Sequence, residues 1–360
     1  MKKLLLSVGI ILLSASVALA QSTVRDTRIT NESTVKSGAQ NISGLGGEAN
    51  MGTVKMKNAN VDKAVIVNKS VVTDSTNKAT GDATANMGSI QIKDSRVNGG
   101  RISNDSTVKD KSLNEAAGVG ATANMGSVQV ARGSELTGNT VIVNKSVASK
   151  ATNRATGINS TANMGSVQVD NSRLNQVNVG NDSKVTNSQN IAIGAHDNTA
   201  NMGSVQIKES QVSGVRVINK SEVSDSLNKA SGTFGATANM GSVQIKNADV
   251  SGSGQLIKNQ STVTGGSSNV ASGTKSTANM GSIQIAEGAK VKDTTITNIS
   301  DVSKSHNLAE GVGSTANMGS VQITGKEVTG SNIYNKSDVA NATNKAGHGA
   351  ESNMGSVVIK

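Results

Sequence analysis

Asn201-Met202-Gly203-Ser204-Val205-Gln206-Ile207 decides the fold, because the chain carries nine versions of it. They start at Asn50, Asn86, Asn124, Asn163, Asn201, Asn239, Asn279, Asn317 and Asn353, at spacings of 36 to 40 residues. Nine of the eleven methionines belong to this motif. A second motif, Asn-x-Ser-x-Val, lies midway, as in Asn219-Lys220-Ser221-Glu222-Val223. It starts at Asn31, Asn68, Asn104, Asn144, Asn181, Asn219, Asn259, Asn298 and Asn335. Self-similarity at a fixed period is the mark of a repeat architecture.

Both motifs reduce to one pattern: Asn, any residue, a small residue, any residue, then Val or Ile. The unit read this way is 18 to 20 residues long, and two versions alternate to give a 38-residue double repeat. Asn144-Lys145-Ser146-Val147 is a slipped copy. Further columns appear on alignment. Ile or Val stands two residues before each second-motif asparagine, as at Ile102 and Val217. Thr stands two residues before most first-motif asparagines, from Thr84 to Thr315. Asn-x-Ala follows later, as in Asn153-Arg154-Ala155 and Asn228-Lys229-Ala230.

The order Val205-Gln206-Ile207 has period two, which predicts a strand with Val205 and Ile207 facing in and Gln206 facing out. By the same parity the Thr column falls on the Val and Ile side. β-Branched residues favour strands, and Gly, Asn, Asp and Ser between these runs supply turns. Each unit is expected to hold two short strands of about five residues. So small a unit cannot bury its apolar face alone, and stacking solves the problem. The fold expected is therefore all-β: a parallel β-solenoid of about eighteen coils, with like residues about 4.8 Å apart and asparagine side chains laddered along the stack. That coil count predicts a rod of roughly 85 Å. The absence of proline fits, because proline would remove a ladder donor.

The remaining composition narrows the class. The 360 residues include no Cys, one Phe and one Tyr. Stability is expected from a thin core of Val, Ile and Ala, without disulfides or aromatic packing. Residues 1–20 read as a bacterial secretory signal peptide: Lys2 and Lys3, the apolar run from Leu4 to Leu13, and Ala18-Leu19-Ala20 before the cut. Residues 21–360 are then one solenoid domain. No apolar run is long enough for a membrane-spanning helix. The formal charge of +10 falls to about +8 once the two leader lysines are gone. That surplus is spread along the chain, which suits a solvated face or weak attraction to polyanionic polysaccharide or extracellular DNA.

The ends of the chain suggest a polymer. The sequence stops inside a motif, at Val357-Val358-Ile359-Lys360, and about ten residues of the expected mature chain precede Asn31. Solenoids that stay single carry polar caps, and neither end has room for one. Val357 and Ile359 are therefore expected to form an open polymer end. A head-to-tail contact of that kind does not close and yields a filament.

Taken together, these residues resemble the secreted functional amyloids of bacterial biofilms, such as curli and the Fap fibres. Curli repeats have about this length, carry strand-turn-strand units, and contain an Asn-x-Ala step like Asn228-Lys229-Ala230. The Gly-x-Gly-Asn turn of curli is absent, so the resemblance is to the class. It implies export through an outer-membrane channel, a nucleator, templated assembly outside the cell, and a role in matrix or attachment.

Catalytic and metal chemistry finds no pattern. His196, His306 and His348 lie far apart in the repeat without Cys or paired His, which does not make a zinc site. The aspartates form no calcium loop, and Gly311 to Gly313 lack the lysine of a phosphate loop. The methionines are expected to fill core gaps. The Asn-Lys-Ser triplets match a glycosylation sequon by composition alone. No enzyme activity, cofactor or metal is expected. The expected function is a secreted structural subunit that stacks into extracellular fibres as a homopolymer. The alternative is a cell-surface adhesin or polyanion-binding stalk.

Overall fold

The computed structural model describes residues 17–20, 23–45, 47–131, 133–252, 254–286, 289–325 and 327–360. All regular structure among them is β-strand. One full turn of the chain runs through five strands: Thr161–Met164, Val167–Asp170, Arg173–Asn175, Asn178–Thr186 and Gln189–Ile193. The next turn opens with Thr199–Met202. Like strands of successive turns pair in parallel, forming five sheets along the stack: one of ten strands and four of nine.

The register settles the repeat. Asn163 pairs with Asn201, Gln168 with Gln206, and Asn181 with Asn219. Each first-motif strand thus stacks on the next first-motif strand, 36 to 40 residues away, and never on a second-motif strand. The chain closes on itself once per 38-residue double repeat. Eighteen units count half-turns of the same stacking; closed turns number about nine. The rod is shortened accordingly, to about 43 Å at 4.8 Å per turn. The strand content also differs from two equal strands per half-turn. One strand of each turn is usually nine residues long and another is only three. Asn144, the slipped copy, sits in register between Asn104 and Asn181, and Ala148 takes the inward place that Val108 and Val185 hold in neighbouring turns.

Local chemistry places the corners. After the long strand the chain turns at a residue with left-handed φ, such as Asp74, Asp110, Asn187 or Asp225. Asp and Asn tolerate that region best among residues with a side chain. A small inward residue follows, and where it is serine its Oγ donates back to the chain, as Ser188 does to the Thr186 carbonyl at 2.8 Å. The Gly-Ser corner works differently. Gly203 has φ +60°, and an added Cβ would sit 3.1 Å from Ser221 Cβ and 3.2 Å from Val223 Cγ2. Ser204 is buried; its Oγ donates to the Met202 carbonyl and its N–H to Ser166 Oγ of the turn before.

That close approach pinches the cross-section into compartments. On one side lies a column of Val and Ile from the Val-Gln-Ile strand, the three-residue strand and the start of the long strand, including Val205, Ile207, Val212 and Val217. On the other, the motif methionines pack against the valines late in the long strand, as Met202 and Met240 do with Val223. A third column is alanine only, such as Ala200, Ala230 and Ala236. Gly203→Ala is expected to destabilise residues 21–360 by roughly 1–3 kcal/mol, since the left-handed φ strains a side chain there and the methyl would crowd Ser221 and Val223. Urea unfolding against Ser204→Ala as a same-corner reference checks it.

Of the expected signal peptide, residues 1–16 lie outside the described residues. Val17–Ala20 forms a strand that pairs in parallel with Val54–Lys57 at the edge of the Val-Gln-Ile sheet.

Candidate functional site

The structure concentrates its polar chemistry in side-chain amide columns. In the long strand, Asn181 Nδ2 donates to Asn219 Oδ1 at 2.8 Å, and the same bond links Asn31 through to Asn335. A second column runs through the Asn-x-Ala strands: Asn153 to Asn190 to Asn228, at 2.9 Å each. Its amides also bridge two strands. Asn190 Nδ2 reaches the carbonyls of Ala162 and Asn201, both at 3.0 Å. The third column is the first motif itself. Asn86, Asn124, Asn163, Asn201, Asn239, Asn279, Asn317 and Asn353 each donate to the asparagine one turn earlier, beginning with Asn50. Its donors point toward the N-terminal end, whereas those of the other two columns point toward the C-terminal end.

A glutamine column completes the set. Gln206 lies on the face opposite Val205 and Ile207, as the alternation requires, yet it is only 3 % exposed. The Gly-Ser corner folds the Thr-Ala-Asn-Met strand toward the Val-Gln-Ile strand on that side. Gln206 Oε1 accepts from Asn201 Nδ2 at 3.2 Å, and Gln206 Nε2 donates to Gln244 Oε1 at 2.8 Å. Gln206 thus faces away from Val205 and Ile207 as expected, but not into solvent: strand alternation gives the face, and the corner closes it from water. The Thr column is corrected. Thr199 shares the outer face with Asn201, while Ala200 and Met202 point inward, because the corner resets the parity before Val205. Both ends of this amide groove are charged. Lys55 pairs with Glu48 in the first turn, and Gln322 Nε2 donates to Glu351 in the last.

The remaining sequence-derived positions fall as follows. Val205 and Ile207 are wholly buried in the Val and Ile column. Val357 and Ile359 lie on the last strand of the ten-stranded sheet and are 48 % and 55 % exposed, beside Met354 at 46 %. These side chains hold the column positions that are buried in every inner turn. His196 and His348 share one corner column, with Phe234, Thr274 and Val312 between them, and His196 stacks on Phe234 with ring centroids 5.8 Å apart. Among the described residues, no group of three His, Asp or Glu converges as a metal site.

One carboxyl is perturbed. Asp170, part-buried on the outer side of the Val-Gln-Ile sheet, has its pKa raised by burial and by the Glu209 charge; Lys208 and the Asn171 N–H oppose this. Its folded-state pKa lies above the unfolded value, so the proton is held more tightly in the fold. Stability from this group is therefore greatest at acid pH and falls as pH rises through the raised value.

Two predictions follow from these contacts. Asn190→Ala strands several buried partners at once and is expected to cost about 3 kcal/mol, more than an exposed Asn→Ala elsewhere, by equilibrium urea unfolding. Asp170→Asn is expected to raise Tm at pH 7, with the gain shrinking as the pH is lowered toward 4.

No protein-family model matches this chain, and no curated protein or solved structure matches it either.

Proposed function

We propose that this protein is a structural fibre subunit that stacks head to tail, strand on strand, into an extracellular filament. The observation that carries the reading is the homotypic register of the columns. Each inner turn rests on a copy of itself, so a surface able to accept one turn can accept the corresponding turn of another molecule. The outermost turns keep the same columns. Ile333 and Ile29 share one, Asn335 and Asn31 another, Val339 and Val35 a third, and Met354 and Met51 a fourth. Stacked in that order, Lys336 would also meet Glu32, an opposite charge.

The contact would repeat what holds the turns together internally: parallel backbone hydrogen bonds, amide ladders and continuous apolar columns. We read each turn as two half-turns with one ancestral pattern, since both carry Asn, a small residue, and Val or Ile. Export after cleavage at Ala20, an outer-membrane channel and a nucleator belong to the same reading, and their support is the leader and the resemblance to curli-like and Fap-like subunits. A second reading, a stalk that binds polyanionic polysaccharide or extracellular DNA, draws on the surplus of positive charge.

Purified residues 21–360 are expected to form unbranched filaments with a meridional reflection near 4.8 Å. Val357→Lys/Ile359→Lys, which places charge on the exposed edge, is expected to leave the rod folded and to abolish elongation. Electron microscopy that finds only single short rods at every concentration and ionic strength would overturn the fibre reading. Salt-dependent binding of such rods to heparin or DNA would establish the stalk.

A further inference from the structure

The outer face of the long-strand sheet carries a charge pattern that neither the core nor the amide ladders require. Between the inward asparagine and serine of each second motif stands one outward residue. Along six successive turns it is Glu32, Lys69, Asp105, Lys145, Asp182 and Lys220. The sign alternates at every step, over about 24 Å. All six are exposed. Lys69 pairs with Glu32 at 3.2 Å, but Asp105, Lys145, Asp182 and Lys220 have no ion pair within 4 Å among the described residues. A shallow open groove runs along the same face, lined by Asp105, Lys145, Val147, Asp182, Lys184 and Lys220.

An alternating column is complementary to itself, but only in one arrangement. Let a second copy lie face to face, related by a two-fold axis parallel to the strands. The axis passes between the turns of Asp105 and Lys145. Each column then faces its own counterpart with the order of turns reversed. Asp105 meets Lys145 of the second copy, Lys69 meets Asp182, Glu32 meets Lys220, and each contact occurs twice. A two-fold axis along the rod would instead set every central charge against its own kind, which repels. The flanking columns are mixed: Lys184, already paired with Glu222, would meet the exposed Val71. Val143 would face Ser103, and the exposed Val147 would cover Thr107. Arg28 with Arg216 is the one like-charge meeting across these columns, and it lies at the rim of the face.

We propose that this face is a lateral docking surface for a second copy of the chain, and that it pairs rods antiparallel. The contact is isologous, so it closes at two. It is separate from head-to-tail stacking and does not depend on it. Joined to that stacking, it would give a filament of two strands running in opposite directions.

The test uses residues 21–360 carrying the edge block Val357→Lys/Ile359→Lys, so that mass reports lateral pairing alone. Sedimentation equilibrium is expected to show a dimer at 20 mM salt that weakens about tenfold by 0.5 M, because exposed charges are screened over that range. An all-acidic column (Lys69→Glu, Lys145→Glu, Lys220→Glu) and an all-basic column (Glu32→Lys, Asp105→Lys, Asp182→Lys) should each remain monomeric. Mixed in equal amounts they should form a heterodimer, and that rescue separates lost complementarity from lost folding. Circular dichroism of each variant identifies any that fails to fold; neutral columns (Gln and Asn at the same positions) then serve in its place and should also be monomeric. A monomer at all salt concentrations, or folded charge variants that pair as the unmodified column does, would overturn the proposal and leave the alternation as support between turns of one chain.

Discussion

Parallel, in-register stacking is the constraint on which everything else here depends. It makes the residue one turn away, about 4.8 Å distant, the dominant neighbour of each side chain. A position must therefore be able to live beside itself. Asparagine and glutamine can, because each amide both donates and accepts. Valine, isoleucine and methionine can, because apolar columns close without gaps. Like charges repel there, and although Lys208 stacks on Lys246 and Asp301 on Asp338, the long-strand column from Glu32 to Lys220 alternates its sign at every turn. Bulky rings have little place, and the one Phe stands half-exposed in a corner, against His196.

The pinch at the Gly-Ser corner is the second organising element. Gly203 admits the serines of the long strand to within contact distance, and that contact separates the Val and Ile column from the Met and Val column. The same bend brings Asn201 and Gln206 together on the far side and closes them from water. One corner thus sets both the shape of the core and the burial of the amides. Methionine suits its place beside that corner, where an unbranched chain can fill an irregular gap against Val223.

Much of this was legible in the residues, and the missing parts have physical causes. Strand alternation in Val205-Gln206-Ile207, parallel stacking and repeat boundaries follow from periodicity alone. The closure length does not. Two half-turns that share Asn, a small residue and Val stack equally well on paper at 19 or at 38 residues, and only the corners decide. Those corners depend on left-handed φ at residues such as Asp110 and Asn187, whose identities vary from turn to turn. Parity failed for the Thr column for a related reason: Gly203 and Ser204 lie between two strands, and a count carried through a bend loses its phase. The burial of Gln206 is nonetheless written in the residues. A glutamine kept in seven motifs, five residues after an asparagine, is what an amide bridge across a corner requires.

The closed 38-residue turn has a consequence for how such a chain changes in length. A cut between any two inner turns exposes the same apolar and amide columns, so removing or inserting one whole turn keeps those columns in register, at the cost of one like-charge contact where the turn lies between Glu32 and Lys220. Loss of half a turn would set asparagine columns against the wrong strands and leave the ring of five sheets unclosed. Length in this molecule is therefore an integer, and duplication or deletion at the level of the coding sequence would be tolerated in steps of one turn and rejected between them.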